Sequence, residues 1–192
     1  MDSLSKIMQF NEEFVSSKQY EEYSSSPFPD KKLVIVTCMD TRLTELLPRA
    51  MNIRNGDAKI IKNAGAVISH PYGSVMRSVL VALYELQAEE VIVCGHYGCG
   101  MAALNADHMI NEIKERGVSP TVLSTLEHSG IDLKSWLQGF GNEKNGVINS
   151  VDIIKNHPLL PPHVPVHGMI IDPSTGQLEL LVNGYAQQET SI

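Results

Sequence analysis

The apolar positions follow two different periods along the chain. Leu4, Ile7, Met8, Phe14 and Val15 recur at helical spacing among polar residues, with Asn11 interrupting the stripe, and predict an amphipathic helix over 3–20. Ser24-Ser25-Ser26-Pro27-Phe28-Pro29 breaks that period, and its two prolines make an extended connector. The helix is therefore an arm placed ahead of the core. From Lys32 to Thr37 the pattern changes to an apolar, β-branched run without alternation, the mark of a strand covered on both faces. A short helix over 44–51, a second strand over 57–62 and a tight turn at Asn63-Ala64-Gly65-Ala66 follow. Pro71 suits the first turn of a helix running to about Gln87, capped by Ser69 or His70, with Val75, Val79, Leu83 and Leu86 on one face. A third strand spans 90–95.

Strands alternating with helices through short linkers predict an α/β fold, a doubly wound and mostly parallel sheet with right-handed crossovers. Residues 98–105 read as the start of another helix. Residues 107–156 read as helical, punctuated at Gly117, Ser129-Gly130 and Gly139-Phe140-Gly141. Prolines from Pro158 to Pro165 stop the helices before a fourth strand over 166–171. The turn Asp172-Pro173-Ser174-Thr175-Gly176 leads into an antiparallel edge strand over 177–182. The expected parallel order is 2-1-3-4, in one domain over 1–192 whose residues 1–25 form the N-terminal helical arm.

Composition narrows the function classes. In 192 residues, 43% apolar content is ample for one buried core. A formal charge of −7 without a dense Lys/Arg run argues against a nucleic-acid or anionic-membrane surface. No apolar stretch approaches the ~20 residues that span a bilayer, and Met1 to Phe10, with Asp2 and Lys6, lacks an apolar signal core. The expected location is the cytoplasm. Three cysteines, an odd number, do not suggest a disulfide framework; they fit a reducing compartment with thiols available for metal or catalysis.

The candidate chemistry gathers at strand ends. Cys38, Asp40 and Arg42 close the first strand, and His96-Tyr97-Gly98-Cys99 closes the third. In a sheet of order 2-1-3, the chain leaves strands one and three in opposite directions and opens a crevice at their carboxyl ends. Cys38, His96 and Cys99 can then surround one ion. Two thiolates and an imidazole favour zinc, and three protein ligands leave a fourth position open, as in catalytic sites. Either half alone reads better as a small buried cysteine or a chance His-x-x-Cys pair than as a metal site; their convergence on one switch point favours the metal. Cys94, inside the strand and below the crevice mouth, reads as packed core. Gly95, Gly98 and Gly100 are spaced G-x-x-G-x-G, unlike the dinucleotide fingerprint, and read as allowing close backbone approach at the metal turn. Of the other histidines, His70 alone follows a strand end within reach of the crevice rim; His108, His128, His157, His163 and His167 lack ligand spacing. Asp40 and Arg42 read either as a solvated pair or, beside a ligand, as positioning groups.

Cys38-Met39-Asp40-Thr41-Arg42 followed by Gly95-His96-Tyr97-Gly98-Cys99-Gly100 resembles the two-part signature of β-class carbonic anhydrases, in their compact, mostly prokaryotic branch. The likeness extends to Lys62-Asn63-Ala64-Gly65 and the helical arm. Thr41, where the family often has serine or alanine, and Met101, where many members have a second glycine, depart from it, and the glutamine that larger plant-like members place over the substrate has no clear counterpart. The resemblance implies one Zn2+ per chain on Cys38, His96 and Cys99, and hydration of carbon dioxide to bicarbonate by a zinc-bound hydroxide. It implies that Asp40 accepts a hydrogen bond from that hydroxide, that Arg42 keeps Asp40 ionised, and that the Gly100 N–H faces a substrate oxygen. It also implies a homodimer embraced by the arm, and in some members an inactive state with the aspartate on zinc. Three alternatives stand beside it: hydrolysis of carbon disulfide or carbonyl sulfide on the same scaffold, a zinc-binding module without turnover, and a thiol-redox protein, which would lack its C-x-x-C pair.

Overall fold

The computed structural model describes residues 1–187. Five strands form one sheet in the order β2-β1-β3-β4-β5, where β1 is Leu33–Cys38, β2 Ala58–Asn63, β3 Glu90–His96, β4 Val166–Ile171 and β5 Leu178–Val182. The first four run parallel and β5 pairs antiparallel to β4. The expected topology, edge strand included, is the one found. Strand β1 lies between β2 and β3, with Leu33 opposite both Ala58 and Glu90, so Cys38 emerges between the carboxyl ends of its two neighbours.

The unbroken apolar run of β1 is explained by cover on both faces. Val34 and Val36, with Val91 and Val93, pack against α3 (Ser74–Tyr84) through Met76 and Val79, and against α7 (Glu143–Lys155) through Val147, Val151 and Ile154. On the other face Ile35 and Ile92 meet Leu43 and Leu47 of α2 (Leu43–Ala50). Glycine sets how close α7 lies: a Cβ on Gly95 would stand 2.6 Å from Val147 Cγ2, and one on Gly168 3.1 Å from Val147 Cγ1. Gly95 therefore makes room for this helix and not for the metal turn, a correction to the expectation. Three short helices, α4 (Ala106–Glu115), α5 (Pro120–His128) and α6 (Leu133–Leu137), share a separate small core around Ile110, Leu123 and Leu133.

Two helix expectations move. Residues 98–105 are turns and coil, because helix α4 begins only after Asn105, whose side chain accepts the His108 N–H at 3.0 Å. Helix α3 starts at Ser74 after the extended Gly73, leaving Pro71 in a preceding turn, and ends at Tyr84. The arm is real but shorter: α1 spans Ser3–Ser16, capped by Asp2, which accepts the Ser5 N–H at 2.9 Å. Lys18 in the left-handed region ends it ahead of a 3-10 turn at Gln19–Tyr23. No residue of α1 is buried in this chain, and Leu4, Ile7, Met8, Phe10 and Val15 are exposed. Among the described residues no helix is long and apolar enough to cross a membrane.

Candidate metal centre

The carboxyl ends of β1 and β3 open into a cleft of about 620 Å3. Cys38 is the last residue of β1 and His96 the last of β3, while Cys99 follows in a turn that Gly98 enters with φ +64°. Both strand ends are held by their neighbours: Met39 N–H donates to Asn63 O at 2.8 Å and Tyr97 N–H to Ile171 O at 3.1 Å. The strand-order reasoning therefore brings the three side chains together, all buried, with one ligand atom of each within 4.8 Å of the others.

Their geometry fits one ion. The Cys38 and Cys99 sulfurs lie 3.9 Å apart, too far for a disulfide and close to the ~3.8 Å separating two thiolates bound tetrahedrally at 2.3 Å. His96 Nδ1 lies 2.9 Å from Tyr97 O; a carbonyl only accepts, so Nδ1 carries the proton and Nε2 offers a lone pair. That Nε2 is buried without a hydrogen-bond partner among the described residues. An orphaned imidazole nitrogen beside two thiols is costly unless something ligates it.

Burial works to raise the Cys38 thiol, but the neighbouring imidazole of His96 and the N–H groups of Asp40 and Gly65 prevail and bring it down to about 7. The Gly65 N–H lies 3.4 Å from Cys38 Sγ. Burial and then the proximity of Cys38 push Cys99 up to about 11. A cation held between the two sulfurs would favour both as thiolates. Cys94 lies fully buried inside β3, and burial alone lifts it to about 12, as expected of packed core.

Asp40 and Arg42 sit at the mouth as one rigid unit. Arg42 donates through Nε to Oδ1 at 3.0 Å, through Nη2 to Oδ2 at 2.8 Å, and through its backbone N–H to Oδ1 at 2.9 Å. These bonds hold the Asp40 carboxyl well below the usual carboxylate range. Asp40 Oδ2 is 3.7 Å from His96 Nε2, so the ionised carboxylate flanks the Cys38-His96-Cys99 cluster. Gly100 lines the cleft too, with Ala64, Met101 and Leu104 as an apolar wall. His70 does not line it: the side chain is exposed and its Nδ1 accepts the Tyr72 N–H at 3.0 Å.

Two contacts escape the sequence reading. Gly98 O accepts from Arg42 Nη2 at 3.3 Å while Gly98 N–H donates to Glu143 Oε1 at 3.2 Å, so the backbone of one residue ties the Arg42 fork to α7. Phe140 packs beside Met101 next to the cysteines; its flanking glycines were read as helix punctuation, although a glycine on each side of an aromatic residue is also a signal of close backbone approach.

Comparison with known proteins covers most of the chain. The family described as Carbonic anhydrase matches residues 33–178. YvdA of Bacillus subtilis (strain 168), whose name places it provisionally among the carbonic anhydrases, is 60% identical over 185 residues, 96% of this chain and 94% of that protein. The crystal structure of β-carbonic anhydrase isoform I from Trichomonas vaginalis superposes with a TM-score of 0.88 at 32% identity, covering 96% of this chain and 100% of that one. The carbon disulfide hydrolase of Acidithiobacillus thiooxidans is 26% identical over 91% of this chain and 90% of that protein.

Proposed function

The chain belongs to the carbonic anhydrase family, in its β class, and from that premise we propose that it catalyses the reversible hydration of carbon dioxide to bicarbonate with one Zn2+ held by Cys38, His96 and Cys99. The observation that carries this reading is the buried meeting of two thiols and an unpartnered imidazole nitrogen beside an Arg-clamped carboxylate. Zinc, when bound, supplies the acidity that makes water a nucleophile near neutral pH.

The chain's own residues do the rest. Cys38 and Cys99 as thiolates offset the ion's charge more than neutral imidazoles would, which places the activity at mildly alkaline pH. Ionised Asp40 can only accept, so it takes a hydrogen bond from the attacking water and turns the oxygen lone pair towards the substrate. Arg42 keeps that carboxylate charged and aimed. The Gly100 N–H serves as donor to a substrate oxygen, and Ala64, Met101 and Leu104 offer carbon dioxide an uncharged wall. The exposed apolar arm fits a homodimer or higher homo-oligomer, with 1–25 as an appendage on a single domain, and three free thiols suit the cytoplasm.

The likeness to a carbon disulfide hydrolase supports one competitor, the same nucleophile acting on carbon disulfide. Zinc-quantified protein offered both substrates decides between them. We expect carbon dioxide to have the larger kcat/KM; sulfide release from carbon disulfide without carbon dioxide hydration would overturn the assignment. Zinc at one per chain with neither activity would leave a binding module.

A further inference from the structure

Phe140 is not among the residues lining the cleft, yet it packs against the apolar cluster that contains Cys38 and Cys99. Its ring stands against Gly65: a Cβ there would fall 2.7 Å from Phe140 Cε1 and 3.0 Å from Met101 Cβ. Gly65 holds φ +79°, a conformation for which glycine has no steric penalty, and its N–H points at Cys38 Sγ from 3.4 Å. The ring also lies against Gly146 of α7, where a Cβ would come within 3.0 Å of Phe140 Cγ and Cδ2. The ring is thus wedged between a fixed helix and the turn that hydrogen-bonds a ligand.

The backbone around Phe140 reaches the second sulfur. Gly139 N–H donates to Leu104 O at 3.0 Å and Gly141 N–H to Ala102 O at 3.1 Å, while Ala102 N–H donates to Cys99 O at 3.0 Å. Gln138 closes the same ladder, giving Nε2 to Leu104 O at 3.0 Å and taking the Ala106 N–H on Oε1 at 3.3 Å. The two segments approach so closely that a Cβ on Gly139 would stand 2.1 Å from Met101 O. Segment 138–141 is therefore zipped to the loop leaving Cys99, and it delivers the Phe140 ring to the turn that serves Cys38.

We propose that Phe140 is a positioning residue of the metal centre: wedged between Gly146 and Gly65, it holds the Gly65 N–H on the Cys38 sulfur and so sets how much electron density that thiolate gives the metal. A hydrogen bond withdraws density from sulfur, and hydrogen bonds to ligating sulfurs are a lever by which proteins tune metal sites. With the ring removed, Gly65 regains its conformational freedom and the N–H leaves the sulfur.

This inference rests on the metal reading above, and cobalt separates the two. Co2+ loaded in place of zinc gives a thiolate-to-metal charge-transfer band whose energy reports density on sulfur. In Phe140→Ala we expect the band to move to longer wavelength and zinc affinity, measured by chelator competition, to change by about 10-fold. Phe140→Leu, which keeps apolar bulk, should fall between Phe140→Ala and the native protein. Leu133→Ala, in the separate core of α4, α5 and α6, controls for general loosening and should leave the band in place. A band unmoved in both Phe140 variants, or moved equally by Leu133→Ala, defeats the proposal alone. A native protein that gives no thiolate-to-cobalt band defeats the metal centre and the proposal with it.

Discussion

Arg42 gives Asp40 two guanidinium hydrogen bonds and one from its backbone, so truncation to alanine removes the fork but leaves the N–H. The Asp40 carboxyl then rises from its lowered value towards the ordinary ~4. A lowered carboxyl contributes only while ionised: its part in function and stability is present above the ordinary value and fades as pH falls through the lowered one. Across the mildly alkaline range of activity Asp40 stays ionised in either case, so Arg42→Ala should act by losing the aim of the carboxylate and reduce kcat/KM by about 10- to 100-fold over the whole profile. Arg42→Lys should recover only part of it, since an ammonium cannot reproduce two parallel bonds; an unchanged profile in either variant would discard the Asp40–Arg42 pairing as functional. The cysteines divide by the same kind of test. Cys38→Ser should lose stoichiometric zinc in metal analysis, whereas Cys94→Ala, inside the strand, should keep one ion per chain at a stability cost of about 1 kcal/mol.

At the scale of elements, glycines fix the spacing between the sheet, α7 and the loop that leaves Cys99. Gly95→Ala would set a methyl group 2.6 Å from Val147 and should lower stability by about 2 kcal/mol, a drop in melting temperature of about 6 °C at this chain length. Gly139→Ala meets backbone at 2.1 Å and should lower melting further and reduce bound zinc, while Gly100→Ala, with nothing within 4 Å, should melt like the native protein. Calorimetry with metal analysis orders the three. The same elements show what could be read in advance. Leu33 to Cys38 and Glu90 to His96 announce themselves because parallel strands are apolar on both faces, and their carboxyl ends must converge in a 2-1-3 sheet. Cys38, His96 and Cys99 were legible for that reason. Gly65 on Cys38 and segment 138–141 on the Cys99 loop were not, because they arise from tertiary approach and leave no periodicity. Asn105 displaced an expected helix start through its cap, a local signal outweighed in reading by the apolar residues before it.

At the scale of the molecule, α1 leaves Leu4, Ile7, Met8 and Phe10 without cover from its own chain. Such a face is stable in water when another surface takes it, and a second copy of the chain is the partner expected here. Light scattering at micromolar concentration should give at least a dimer, and Ile7→Glu with Phe10→Glu should shift it towards monomer without loss of zinc; a monodisperse native monomer would remove the arm from assembly. The central claim concerns the buried Cys38, His96 and Cys99 with Asp40 at their edge. It is tested most directly by stopped-flow hydration of carbon dioxide on protein whose zinc has been quantified, beside Cys38→Ser prepared in the same way. The account predicts one zinc per chain and hydration well above the uncatalysed rate in the native protein, with both lost in the variant. Full zinc loading with hydration no faster than buffer, or equal hydration in the zinc-free variant, would contradict it.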